Sequence, residues 1–163
     1  MNLSHLSEQE IIRREKLAEL KKLGIDPYPA ALYPVNILAA DIKSTYKGEE
    51  NKAEFADVCL AGRIMSIRDM GKASFAVLQD SSGKIQIYVK RDDICKGDDK
   101  TLYDKVWKHL TDIGDIVGVK GYVFTTKTGE TSVHVTELSF LTKSLKPLPV
   151  VKEKEGETFD AVT

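Results

Sequence analysis

With 163 residues, 42% of them hydrophobic and 30% charged, the chain can bury one good core with appendages but not a second full domain. No apolar run approaches the ~20 residues needed to span a bilayer, and the N-terminus lacks the apolar core of a signal peptide, so a soluble, cytoplasmic protein with no membrane partner is expected. The net charge of −1 argues against strong indiscriminate phosphate binding; a nucleic-acid binder of this charge must gather its cations on one face and depend on base contacts.

The first element is a helix with marked ends. Ser7 and Glu10 fit a capping box, with Leu6 and Ile11 at the hydrophobic-staple positions. Gly24 is the expected C-cap, and Pro27, Pro29 and Pro34 then forbid continuation through the extended GIDPYP segment. Arg13, Arg14, Lys16, Lys21 and Lys22 fall on a polar face against Ile12, Leu17, Leu20 and Leu23, a face that serves either solvent or an RNA backbone. A short helix is predicted from about Leu38 to Tyr46, ended by Gly48 and followed by a polar linker from Glu49 to Glu54.

Strands then dominate. DVCLAGRIMSIR, ASFAVLQD and KIQIYVK are β-like runs separated by glycine-containing turns. A less apolar stretch, Asp92 to Leu110, ends in the helical pattern TLYDKVWKHL, after which DIVGVKGYVFTT and TSVHVTELSFL form a hairpin through Lys127 to Glu130. Three strands, a helix, then two strands is the order of the OB-fold, a partly open barrel that binds oligonucleotides on its strand 2 and 3 face. A β-sandwich would show more strands and no helix at that place. The expected fold is therefore mainly β with helices: residues 1–54 form an N-terminal helical extension, 55–145 a five-stranded OB barrel and 146–163 a linker. Cys59 and Cys95 are far apart and lack partners at metal-like spacing, and His5, His109 and His134 are equally scattered, so neither a disulfide, a metal site nor a catalytic constellation is expected.

Alternation decides which side chains reach a ligand. Burying Ile85, Ile87 and Val89 sends Gln86, Tyr88 and Lys90 outward, and burying Ala76 and Leu78 sends Phe75 and Val77 outward. The turn from Asp80 to Gly83 then sets Phe75 opposite Tyr88 and diagonal to Gln86. An exposed phenylalanine beside an amide and a tyrosine suits single-stranded RNA, whose splayed bases stack on aromatic faces while polar groups read their edges. Arg68 and Lys72 flank the loop between the first two strands, and Arg63 points outward if Val58, Leu60 and Ile64 point in, all three offering cations to phosphates or base edges. Lys127, Thr128, Gly129 and Glu130 make a tight turn near the same mouth, where the Glu130 carboxylate accepts only from base donors and so discriminates.

GKASFAVLQDSSGKIQIYVKRDD, GDIVGVKGYVFTTKTGE and LTKSLKPLP, with RREKLAELKKLGIDPYP near the N-terminus, resemble the anticodon-binding portion of class II, bacterial-type lysyl-tRNA synthetases. The OB barrel is shared with aspartyl- and asparaginyl-tRNA synthetases; GIDPYP and TKSLKPLP are the lysyl-like features. The resemblance implies that Phe75 stacks on the central anticodon base, that Gln86 hydrogen-bonds nearby, and that Arg68 and Glu130 take part in reading a uridine-rich anticodon, with Arg63, Lys72, Tyr88 and His134 as further candidates. It implies tRNA(Lys) as the partner rather than DNA, and a parent enzyme, a homodimer, that uses ATP and Mg2+ to attach lysine. The class II motifs for ATP and lysine are absent up to Thr163, so these 163 residues are expected to bind RNA without catalysis and without a cofactor. A competing expectation is a dimerisation module in which Phe75 and Val77 form an apolar contact.

Overall fold

A computed structural model describes residues 8–25, 33–145, 151–154 and 157–160. Ser7, Pro27 and Pro29, on which parts of the sequence reading rest, lie outside them. Helix α1 spans Glu8–Lys22. It ends as the sequence predicts, with Gly24 at φ +82°, the Gly24 amide donating to Lys21 O at 3.0 Å and the Ile25 amide to Leu20 O at 3.0 Å, a Schellman closure that satisfies the last carbonyls. Helix α2 spans Ala39–Thr45. The polar linker that follows is wound into two short 3-10 turns, Gly48–Glu50 and Lys52–Phe55.

The strands are β1 (Val58–Asp69), β2 (Ala73–Gln79), β3 (Lys84–Lys90), β4 (Ile116–Thr125) and β5 (Thr131–Thr142). They close into a barrel in the order β1-β2-β3-β5-β4, with β4 returning to β1. Every neighbouring pair is antiparallel except β3 and β5. Between β3 and β4 lie a short helix α3 (Arg91–Ile94) and α4 (Leu102–Leu110), the latter wound as a π-helix. This is the predicted OB arrangement. A two-stranded ribbon, β6 (Val151–Lys154) with β7 (Glu157–Asp160), stands within the segment that reads as linker.

Alternation fills the barrel. Leu60, Ile64, Ala76, Leu78, Ile85, Ile87, Val89, Val119, Val133 and Val135 are all buried, and α4 adds Tyr103, Val106, Trp107 and Leu110 to the same core. Its largest members, Trp107 and Tyr103, are 1% and 0% exposed. The Tyr103 hydroxyl keeps a partner at that depth, donating to Gly71 O at 2.9 Å and lying 2.9 Å from Ser74 Oγ, as burial of a phenol requires. Cys59 and Cys95 are buried free thiols.

The structure corrects the reading of the basic face of α1. Arg13 is only 7% exposed and donates through Nη1 to Ile113 O and Ser144 O, at 3.0 and 3.2 Å, and Lys16 pairs with Asp112 at 2.8 Å. These two cations dock the helix on the barrel, whereas Arg14, Lys21 and Lys22 of the same face stay exposed. Leu23, assigned to the apolar face, is 37% exposed. The docking site is a compact ionic cluster around Lys143, just past β5, whose ammonium donates to Leu110 O, Asp112 Oδ2 and Asp115 Oδ2 at 2.9, 2.6 and 2.7 Å. Three donors meet three acceptors, the full capacity of an ammonium. Burial, the largest influence on both carboxyls, is outweighed at Asp112 by Lys143 and Lys16, which hold it below its usual range; at Asp115 burial prevails and pushes the carboxyl up.

A second device fixes the β2–β3 turn. Asp80 Oδ2 accepts from the Ala39 amide at 2.8 Å, at the start of α2, while Oδ1 accepts from the Ser82 amide and hydroxyl and the Gly83 amide. Burial alone would raise this carboxyl, but these donors outweigh it and hold it below the usual carboxylate range. A depressed carboxyl lends stability above its unfolded value and loses it as pH falls. Asp80→Ala is therefore expected to cost about 1.5–3 kcal/mol at pH 7, the worth of hydrogen bonds to a charged group. That deficit should narrow below about pH 4, as urea unfolding at several pH values would register.

Candidate nucleic-acid interface

Register brings the outward residues into rows across the barrel. One row runs Arg68, Phe75, Tyr88, His134, Tyr122, on β1, β2, β3, β5 and β4 in turn. The next runs Val77, Gln86, Ser132, Phe124. Because side chains on one face of neighbouring strands touch where they are directly opposite, four of the five residues in the first row form a chain of rings. Phe75 and Tyr88 have centroids 5.0 Å apart, Tyr88 and His134 5.2 Å, and His134 and Tyr122 4.7 Å with their planes only 13° from parallel. Phe124 meets the edges of Tyr88 and His134 at 6.2 and 5.8 Å.

The predicted stacking residues thus lie together. Arg68, Phe75, Gln86 and Tyr88 line one groove of about 520 Å³, joined by Met70, Phe124 and the turn residues Thr126, Lys127 and Thr128. Phe75 is half-buried, its ring packed against Tyr88 where it lines the groove. Ser132 donates its hydroxyl to Gln86 Oε1 at 2.9 Å, so the amide nitrogen is the end of Gln86 left to meet a ligand, a donor suited to a base carbonyl. Ser132 Oγ also lies 3.4 Å from Glu130 O, and the Thr126 hydroxyl accepts from the Glu130 amide at 3.1 Å. These contacts tie the hairpin turn beside the groove and leave the Glu130 side chain exposed.

Two predicted residues stand apart. Arg63 is exposed on the outer face, but its partner in register is Gln79, at the opposite end of β2 from Phe75, and its Nη1 donates to Gly114 O at 3.2 Å. Lys72 is exposed in the β1–β2 loop, whose backbone is tied to α3 by the Arg91 amide donating to Lys72 O at 2.8 Å, and it does not line the groove. Arg68 and Lys127 are the cations that do.

Tyr122, Phe124 and Met70 were not singled out from the sequence. The signal for the first two was present, since burying Val123 in YVF sends both neighbours outward. Tyr122, at 40%, is among the most exposed large hydrophobic residues described. The backbone permits this row through Gly121, where an added Cβ would lie 1.9 Å from His134 O. No larger residue fits there without separating β4 from β5 at the level of the rings.

Comparison with known proteins agrees with this geometry. A family model for tRNA anticodon domains, described as an OB-fold nucleic acid binding domain, matches residues 58–141. The chain is 60% identical over all 163 of its residues to a lysine–tRNA ligase of Porphyromonas gingivalis strain W83, covering 28% of that protein. It is 53% identical over 156 residues to one from Azobacteroides pseudotrichonymphae, covering 31%, and 50% identical over 159 residues to one from Christiangramia forsetii, covering 27%. The chain therefore spans under a third of the length of these relatives.

Proposed function

From the premise that this chain belongs to the tRNA anticodon family of OB-fold nucleic acid binding domains, we propose that it reads the anticodon loop of tRNA(Lys) as part of a lysine–tRNA ligase. The observation that carries the reading is the groove in which Phe75, Tyr88 and Phe124 surround the Gln86 amide, with Arg68 and Lys127 at its rim. The rings stack on splayed bases, the amide donates to a base carbonyl, and the cations meet the backbone. Glu130, beside the groove, accepts from base N–H groups and repels a base that presents only acceptors there. Arg63 and Lys72, outside the groove, contribute through the flanking backbone.

On this reading, residues 1–54 are the helical extension, 55–145 the anticodon-binding unit and 146–163 the connection to a catalytic part. Lysine attachment, ATP, Mg2+ and homodimer formation belong to the whole ligase, and no residue of the groove is assigned to them. The setting is the cytoplasm, where tRNA is charged; among the described residues no helix is long and apolar enough to cross a membrane.

The reading is tested by titrating the chain with labelled stem-loops carrying a lysine or an aspartate anticodon. The lysine loop is expected to bind at least about fivefold tighter, the yield of one well-read base contact at about 1–3 kcal/mol. Equal affinities would contradict the lysyl assignment. Failure of both loops to bind, with concentration-dependent dimers in sedimentation that Phe75→Ala dissolves, would establish instead an interface built on Phe75 and Val77.

A further inference from the structure

The ring row does not end at the groove just described. Its far member, Tyr122, borders a second groove of about 560 Å³ on the other side of Phe124, floored by Tyr46 and edged by Lys52 and Glu49 from the turns before β1. Phe124 lines both, so the two grooves adjoin across its ring. Glu49 and Lys52 pair at 3.3 Å on an exposed surface, a contact weak enough for a phosphate to compete for the lysine.

Tyr122 is held as a platform. One face of its ring lies on the His134 imidazole, 4.7 Å away and nearly parallel. That imidazole is fixed in turn by Asp93, whose carboxylate meets Nε2, and by the edges of Tyr88 and Phe124. The tyrosine nevertheless stays 40% exposed. A ring whose plane is set by a stack on a half-buried imidazole and whose surface remains open loses little freedom when a base settles on it, which is the general condition for a preorganised contact.

We propose that Tyr122 is a second base-stacking site, taking a nucleotide of the same RNA strand other than the one on Phe75, with His134 and Asp93 as positioning residues. The proposal rests on the anticodon reading and extends it. The single row of rings that joins Tyr122 to Phe75, with the two grooves side by side, favours RNA over any other occupant. Phe75 and Tyr122 are three strand spacings apart, about 14 Å at ~4.8 Å each. This is about four steps of a stacked strand at ~3.4 Å each, so the two rings take different nucleotides of the loop.

The experiment is a scan of the lysine anticodon stem-loop in which one loop position at a time carries an abasic residue, titrated against the wild-type chain, Tyr122→Ala, Tyr122→Phe, Asp93→Ala and Phe75→Ala. A contact between ring and base appears as non-additivity, since removing either partner removes the same interaction. Tyr122→Ala is expected to weaken binding by about five- to 150-fold, the range for one stacked base. One abasic position should be harmless in that variant yet costly in the wild type, and it should differ from the position coupled to Phe75. Tyr122→Phe should bind within twofold of wild type, and Asp93→Ala should weaken coupling at the Tyr122 position alone. Tyr122→Ala binding within twofold of wild type while Phe75→Ala loses affinity overturns the second site and leaves the first standing. Coupling of both rings to one position overturns it equally. A wild-type chain that binds no loop removes the anticodon reading itself.

Discussion

Lys143→Ala is expected to lower the unfolding free energy by about 3–5 kcal/mol, the cost of removing one partner from a buried ion pair. The lysine is 7% exposed and Asp115 is fully buried, so deletion leaves a buried carboxyl without its counter-charge. It also strands Leu110 O and removes the ammonium shared by Asp115 and Asp112, the carboxylate on which Lys16 of α1 is anchored. Burial already raises the Asp115 carboxyl. Without Lys143 it would hold its proton more firmly, and a raised carboxyl contributes stability that is lost as pH rises through its folded value. The deficit should therefore be smaller near pH 4 than at pH 7. Urea denaturation at the two pH values would measure this through the midpoint, with the slope unchanged; a loss below about 1 kcal/mol at pH 7 would show that the cluster is far weaker than a buried pair.

Phe75→Ala is expected to weaken binding of a lysine anticodon stem-loop by about 1–3 kcal/mol, or five- to 150-fold, the worth of one base stacked on an aromatic ring. The ring is only half-buried and its main neighbour is Tyr88. Its loss should accordingly cost about 1–3 kcal/mol of stability, the aromatic pair plus half the burial of a phenylalanine. Equilibrium titration alongside urea unfolding separates the two quantities. A stability loss with unaltered affinity would assign Phe75 to packing.

The contrast between these residues explains what could be read from the sequence. Phe75 and Gln86 were legible because period-two alternation on β2 and β3 is dictated locally: Ile-x-Ile-x-Val must turn its branched residues inward, and a four-residue turn around Asp80 fixes which residues face each other. The continuation of the row through His134 and Tyr122 depends on the parallel pairing of β3 with β5 and on a register shift between Lys120 and Gly121. Both are long-range choices that no local pattern specifies. Arg13 and Lys16 were misread for a related reason. Helical periodicity places them on a polar face, but their partners lie about a hundred residues away in sequence, at Asp112 and Ile113. Lys143, inside the polar run TKS, carries no local sign of burial.

The stacking of Phe75 on the central anticodon base is the claim from which the rest of the functional account follows, and it is tested most directly by a double-mutant cycle. Wild type and Phe75→Ala are each titrated with the lysine stem-loop and with the same loop made abasic at the central anticodon position. The account predicts that either change alone weakens binding at least fivefold and that the second adds almost nothing to the first, since both remove one stack. Fully additive losses, or a central abasic site that leaves wild-type affinity unchanged, would contradict it.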